Sequence, residues 1–215
     1  MAGTTPFELG DAVSYINRLL PRELLDERLH AALPPDLSLR PAVGPLTADL
    51  LGVLVHARRP ARILELGTSI GYSAIAMGRA AAVYGGRITT VELDERIAQV
   101  AEENIRGASL SDTVQVVQED AAEFIASAAG PFGLILQDSD KDLYQAALPR
   151  LVDLLEPGGL LVSDDVLFPI IDLPETARRW QQVMDEYNAA LRDHPRLRTT
   201  WLPIGYGVAV SVKIA

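Results

Sequence analysis

Gln137-Asp138-Ser139-Asp140-Lys141 is the stretch of this chain best equipped for chemistry. It follows the apolar run Phe132 to Leu136 and precedes an amphipathic helical pattern. Of the 19 basic residues only Lys141 and Lys213 are lysines, and the rest are arginines. Arginine stays charged in proteins, whereas a lysine whose pKa is lowered can serve as a general base. A second apolar run, Gly159 to Ser163, ends in Asp164-Asp165. Carboxylates at the ends of two strands, with a lysine beside them, point to metal-assisted proton abstraction.

Composition narrows the setting for that site. At 215 residues the chain reads as one domain, large enough for a full core. Residues 1–45 read as an N-terminal helical cap and 46–215 as a cofactor-binding core. A net charge of −10 argues against a nucleic-acid surface and against binding anionic lipid. With no cysteine, disulfides, thiol catalysis and thiolate metal sites are excluded. His30, His56 and His194 lack ligand spacing, so any metal site must be built from oxygens. No apolar stretch reaches spanning length and Met1 to Asp11 lacks a signal-peptide pattern, so a cytoplasmic protein is expected.

The elements that must position these residues follow from the hydrophobic rhythm. Residues 7–30 read as one or two amphipathic helices interrupted at Pro21, and Leu33 to Pro45 as a connector. Leu46 to Arg58 predicts a helix. Strands are expected at Arg62–Leu66, Arg87–Glu92, Thr113–Gln118, Phe132–Leu136 and Leu160–Ser163, the last preceded by a turn at Pro157-Gly158-Gly159. Helices are expected between them at Gly71–Val83, Glu95–Arg106, Ala121–Ala128 and Lys141–Leu155. A helix at Pro174–Leu191 and strands at Leu197–Leu202 and Gly207–Lys213 follow. The predicted fold is α/β, with a Rossmann-like, doubly wound, mostly parallel seven-stranded sheet. A C-terminal antiparallel hairpin and N-terminal helices complete it. Trp180, Met184 and Tyr187 read as core or dimer interface, and Arg58-Arg59 as a solvated face. Ser139 or Asp140 reads as a helix cap, with Asp142 completing a capping box.

In such sheets ligands bind at the carboxyl ends of the strands. Glu65, Glu92, Glu119-Asp120, Asp138 and Asp164-Asp165 all fall there. That edge suits a cationic cofactor or a divalent metal better than a phosphate-rich one. Glu65-Leu66-Gly67-Thr68-Ser69-Ile70-Gly71 is a tight strand-to-helix turn without the Gly-x-Gly-x-x-Gly fingerprint of dinucleotide sites. Glu92 lies about 20 residues on, where an acid takes ribose hydroxyls. Glu65 and the absent second glycine favour S-adenosylmethionine over NAD. An NAD-linked oxidoreductase, a metal-independent methyltransferase and a non-catalytic binding protein remain alternatives.

Ile63 to Ser73 resembles the first motif of the cation-dependent O-methyltransferases, the family of the caffeoyl-CoA and catechol O-methyltransferases. Asp138-Ser139-Asp140-Lys141 resembles its Asp-Ala-Asp-Lys motif, and Ser163 to Leu167 its Ala-Asp-Asn-Val-Leu motif. The resemblance implies that Asp138, Asp164 and Asp165 hold a divalent cation, magnesium by preference, with calcium or manganese as alternatives. It implies Lys141 as the base, with Asp138 beside both base and cofactor. Glu92 would bind the ribose, Gly67, Tyr72 and Ser73 the methionine end, Asp120 and Ala121 the adenine. Val43 would cover the methionine tail. The implied partners are a small hydroxylated acceptor and a second copy of the chain. Three departures stand out: Asp165 where the family usually has Asn, the segment Phe168 to Asp172, which lacks the glycines usual there, and Tyr206 where it often has Asp.

Overall fold

Short apolar runs separated by amphipathic stretches make strands that are covered on both faces. The computed structural model describes residues 9–20 and 43–215. Helix α1 spans Leu9–Asn17 and α2 Pro45–Arg58. Then follow β1 (Arg62–Leu66), α3 (Tyr72–Ala82), β2 (Arg87–Glu92), α4 (Glu95–Gly107), β3 (Val114–Gln118) and α5 (Ala121–Ser127). The second half comprises β4 (Phe132–Gln137), α6 (Tyr144–Leu154), β5 (Leu155–Ser163), α7 (Arg179–Asp193), β6 (Leu197–Leu202) and β7 (Val208–Lys213). The remainder of the expected N-terminal helices and most of the proline-rich connector lie outside the described residues.

The seven strands run in the order β3-β2-β1-β4-β5-β7-β6. Strands β1 to β5 are mutually parallel, and β7 is antiparallel to both β5 and β6. This is the expected mostly parallel sheet with its C-terminal hairpin. The direction of winding reverses between β1 and β4, which places a ligand crevice beyond their carboxyl ends. Side chains alternate across β4: Leu134 and Leu136 pack with Leu51, Val55, Met77 and Val162, while Ile135 packs with Leu148, Leu151 and Leu191 on the other face. Met184, Tyr187 and Leu191 are fully buried, so the α7 stripe is core.

Four local readings change. The helix expected from Lys141 opens as a 3-10 turn, Lys141–Leu143, before α6. Asp140 accepts from the Asp142 N–H at 3.0 Å, and its carbonyl accepts from the Leu143 N–H at 3.0 Å. That i to i+3 spacing leaves the same hydrophobic pattern as an α-helix over a single turn. Pro174 to Leu191 likewise opens on a 3-10 turn at Glu175–Ala177. Pro157-Gly158-Gly159 does not precede β5 but lies inside it as a bulge: Phe132 pairs with Leu155 while Leu134 pairs with Leu160. Arg58 is half-buried rather than freely solvated; it donates to the Gly158 carbonyl at 3.1 Å and pairs with Glu156 at 2.5 Å, while Arg59 is exposed.

Lys213 is buried, and its ammonium donates to the Leu155 carbonyl at 2.7 Å. One of the two lysines thus ties the last strand to the start of β5. Lys213→Met leaves that carbonyl without its donor and should cost about 1–3 kcal/mol. Urea denaturation checks this: a midpoint equal to wild type would refute the structural role.

Candidate active site

Glycine at position 67 is required by the crossing of two chains. Its φ is +92°, and a Cβ there would lie 2.1 Å from the Asp138 carbonyl oxygen. The Asp138 N–H donates to the Leu66 carbonyl at 2.9 Å, and the Gly67 N–H to Val91 at 2.9 Å. The turn continues through Ser69 at φ +47°, whose N–H donates to Glu92 Oε2 at 2.9 Å. Glu92 Oε1 accepts from the Asp94 N–H at 3.1 Å. Glu92 is therefore aimed by backbone donors over the β1 turn, with lone pairs left on both oxygens. Val43 and Tyr72 share a small apolar cluster with Ala48, Ile70 and Ala76 beside this turn. Ser73 is buried one residue further on. Asp120 caps α5 by accepting from the Ala122 and Glu123 N–H groups at 2.8 and 3.1 Å, with half-buried Ala121 next to it.

Lys141 closes the adjacent strand ends. Its Nζ lies 3.2 Å from Asp138 Oδ1, 2.8 Å from Asp165 Oδ2, 3.2 Å from the Ser139 carbonyl and 3.0 Å from the Tyr144 hydroxyl. Burial alone would lower its pKa, but Tyr144, Asp138 and Asp165 around it raise it well above the usual lysine value. Burial holds Tyr144 neutral far above its ordinary range, so the two carboxylates carry the effect. These contacts outweigh burial, and Lys141 stands as an ammonium. Asp138 is pushed up to about 6 by burial, against the pull of Lys141. Asp165 adopts φ +62°, a left-handed conformation that Asp and Asn tolerate better than other side chains. Of the expected caps, Asp140 caps the turn, while the Ser139 hydroxyl is buried without a partner.

Beneath the β1 turn, Glu65 is fully buried. Its Oε2 accepts from the Thr90 hydroxyl at 2.5 Å and its Oε1 has no partner. Burial raises its pKa to about 7, opposed by the Ser73 and Thr90 hydroxyls and assisted by Asp138 and Glu92.

Among the described residues no three His, Cys, Asp or Glu side chains are grouped so as to hold a metal ion. Yet Asp164 Oδ1 is buried without a partner, and burial, then Asp138 and Asp165, hold the Asp164 pKa well above its usual value. Three carboxylates face one ammonium. The donor set fits a hard divalent cation in charge and chemistry, while Lys141 occupies the space between Asp138 and Asp165.

The sheet order, the crevice at its switch point and this acid-lined edge define a doubly wound α/β enzyme. The chain matches the O-methyltransferase family over residues 22–214 and belongs to it. It is 37% identical over 130 residues to a catechol O-methyltransferase of Niastella koreensis, covering 59% of this chain and 58% of that relative. It is 33% identical over 156 residues to a catechol O-methyltransferase of Mycobacterium tuberculosis, covering 69% and 70%. Among solved structures it resembles the SAH-bound methyltransferase PaMTH1 of Podospora anserina, with a TM-score of 0.81, 25% identity and 99% of each chain covered. A Bacillus cereus O-methyltransferase in complex with SAH gives 0.73, 28% and 89% of each chain. The expected class, an S-adenosylmethionine-dependent O-methyltransferase, is borne out at the level of the family.

Sequence reasoning brought Asp138, Lys141, Asp164 and Asp165 together, and the structure does the same. It missed Thr90, Tyr144, Gln137 and Ser163. Tyr144, three residues after Lys141, carried a usable helical-spacing signal; the others carried none.

Two outcomes follow from this geometry. Gly67→Ala should fail to give a soluble folded protein, or lose cofactor binding, because backbone atoms must move to admit the Cβ. A well-folded Gly67→Ala with unchanged cofactor affinity would contradict the close crossing. Glu65 has a raised folded pKa, so the native state holds a proton that the unfolded state has lost between about pH 4.5 and 7. Stability must therefore fall as pH rises through that window. Glu65→Gln should gain roughly 1–3 kcal/mol over wild type at pH 8 and nothing at pH 4. Parallel melting curves across pH for the two proteins check it.

Proposed function

We propose that the protein moves the methyl group of S-adenosylmethionine to one hydroxyl of a small catechol-like or vicinal-diol acceptor. Lys141 is the proton acceptor in this reading, and Asp138, Asp164 and Asp165 are the holders of a divalent cation, magnesium first, calcium or manganese next. The observation that carries it is where the buried polar atoms without partners lie. Those of Glu65, Gln137, Ser139 and Asp164 all belong to the carboxyl ends of β1, β4 and β5, around the one buried ammonium of that edge. Unpaired buried polar atoms are costly, and a bound ligand supplies the missing partners. The likeness to catechol O-methyltransferases supports the acceptor class.

When bound, the cation would orient the acceptor oxygens and lower the pKa of the reacting hydroxyl. The chain's own residues do the rest. Glu92 accepts from the ribose hydroxyls, with its carboxylate already aimed by Ser69 and Asp94. Val43, Gly67, Tyr72 and Ser73 enclose the methionine end, while Glu65 offers its unpaired oxygen below it and Asp138 borders it. Asp120 and Ala121 flank the adenine. Lys141 takes the hydroxyl proton at Nζ. The ammonium held between Asp138 and Asp165 is the proton-loaded state; the neutral lysine needs those two carboxylates engaged elsewhere. Alignment of the attacking oxygen with the methyl group adds to what proton transfer contributes.

One observation favours a second reading. Lys141 already balances Asp138 and Asp165, which would suit a metal-independent methyltransferase of the same fold. Sensitivity of turnover to chelator separates the two. The proposal also takes the protein as a cytoplasmic homodimer that uses residues 1–45 as a cap on the 46–215 core. Among the described residues no helix is long and apolar enough to cross a membrane.

Calorimetric titration with S-adenosylmethionine, then with magnesium on the complex, is the direct test. Binding of both, with the magnesium signal lost in Asp138→Ala, is expected; cofactor binding without a metal response would leave the metal-independent reading. Lys141→Arg keeps the charge but cannot accept a proton. It should melt like wild type and turn over a catechol roughly 10²- to 10⁴-fold more slowly. Undiminished turnover would remove Lys141 from the base role.

A further inference from the structure

Tyr187 lies in the centre of α7 and is completely buried. Its hydroxyl is 2.7 Å from Ser163 Oγ and donates to Gln137 Oε1 at 3.2 Å. Gln137 and Ser163 are register partners at the ends of parallel strands β4 and β5. Each stands immediately before a carboxylate of the site, Asp138 and Asp164. One hydroxyl from a distant helix therefore bridges the last paired residues of the two strands that present the acids.

Both strands end at this pair. The Asp164 N–H still donates to the Gln137 carbonyl at 3.2 Å. Tyr144 reinforces the same place, its hydroxyl 2.9 Å from the Gln137 carbonyl and 3.3 Å from that of Asp164. The two tyrosine rings meet edge to face at 5.1 Å. Tyr144 also contacts Lys141 directly, whereas Tyr187 touches neither the lysine nor the acids in any recorded polar contact. Gln137 Nε2 is buried without a partner. Among the described residues, the Tyr187 hydroxyl is thus the sole hydrogen-bond partner of the Gln137 side chain.

We infer that Tyr187 is a positioning residue for the methyl-transfer site. Its hydroxyl sets the separation of the β4 and β5 ends, and through them the placement of Asp138 and Asp164 around Lys141. The inference rests on the reading of this edge as the active site. Aligned catalysis is sensitive to such spacing: displacements near 1 Å cost about 10²-fold. Tyr187→Phe keeps the ring, its packing and its contact with Tyr144, and deletes only the bridge.

The chain has two lysines, which gives a readout free of any choice of acceptor. In protein carrying ¹³C-labelled lysine, Lys141 and Lys213 each give one side-chain resonance. Lys213 bonds to Leu155 at the far end of β5 and serves as internal control. In Tyr187→Phe the Lys141 signal should shift or broaden while Lys213 stays in place. Affinity for S-adenosylmethionine should stay within about twofold, and kcat on a catechol should fall roughly 10-fold or more. Ser163→Ala removes the bridge from its other end and should move the same resonance, which covers the case of a Tyr187→Phe that does not fold. An unmoved Lys141 resonance in a folded variant overturns the inference. So does equal movement of both lysines, which marks general loosening. A wild type inactive on catechols would count against the proposed acceptor alone, since the lysine resonances still report the positioning.

Discussion

The structure is organised around one electrostatic constraint: several carboxylates are buried at the same end of one sheet. Glu65 and Asp164 are buried, Asp138 and Asp165 are half-buried beside them, and a single ammonium, Lys141, pairs with Asp138 and Asp165. Like charges in a low-dielectric site raise one another's pKa values. Asp138, Asp164 and Glu65 all bear that mark, with burial as the leading cause in each. A fold does not hold such a cluster for stability, because replacing it with apolar groups would usually cost nothing. The arrangement suits positive charge, which the sulfonium of S-adenosylmethionine carries.

Everything near the cluster serves to hold it open at the right spacing. Parallel strands β1, β4 and β5 deliver the acids in one direction because each is followed by a crossover helix. Gly67 permits the β1 turn to pass against the Asp138 carbonyl. Backbone donors from Ser69 and Asp94 aim Glu92. Two tyrosines from different helices fasten the ends of β4 and β5 from below. The hydroxyls of Thr90, Tyr144 and Tyr187 are all buried in hydrogen bonds with the elements that carry acids. Buried polar networks of this kind confer a unique arrangement when they are satisfied.

The segment after the last acids is shaped by the hairpin. The Val166 and Leu167 N–H groups donate to the carbonyls of Gly207 and Tyr206 at 3.1 and 2.8 Å. A Cβ on Gly207 would lie 2.4 Å from Leu167, so the two loops are in direct contact. Tyr206 is thereby set edge-on to Phe168 at 5.9 Å, and Phe168 stacks on Trp180 at 6.3 Å. Phe168 lies 6.0 Å from the Lys141 ammonium.

The sequence by itself determined the alternation of strands and helices, because five-residue apolar runs and helical spacing are local. It determined which acids end which strands: Asp138, Asp164 and Asp165, with Lys141 beside them, were legible as a candidate site through their place after apolar runs and their likeness to known motifs. Chain folding decided what local pattern does not encode. The bulge at Pro157-Gly158-Gly159 depends on pairing with β4, and the anchoring of half-buried Arg58 and buried Lys213 on carbonyls roughly 60 to 100 positions away in sequence. The protonation of Lys141 depends on how closely folding brings Asp138 and Asp165 to its Nζ, at 3.2 and 2.8 Å, which local spacing does not encode. Tyr187 was legible only as part of a buried stripe. Its bridge to Gln137 and Ser163 exists because tertiary packing brings α7 beneath two strand ends, and hydrogen bonding between distant residues leaves no trace in spacing.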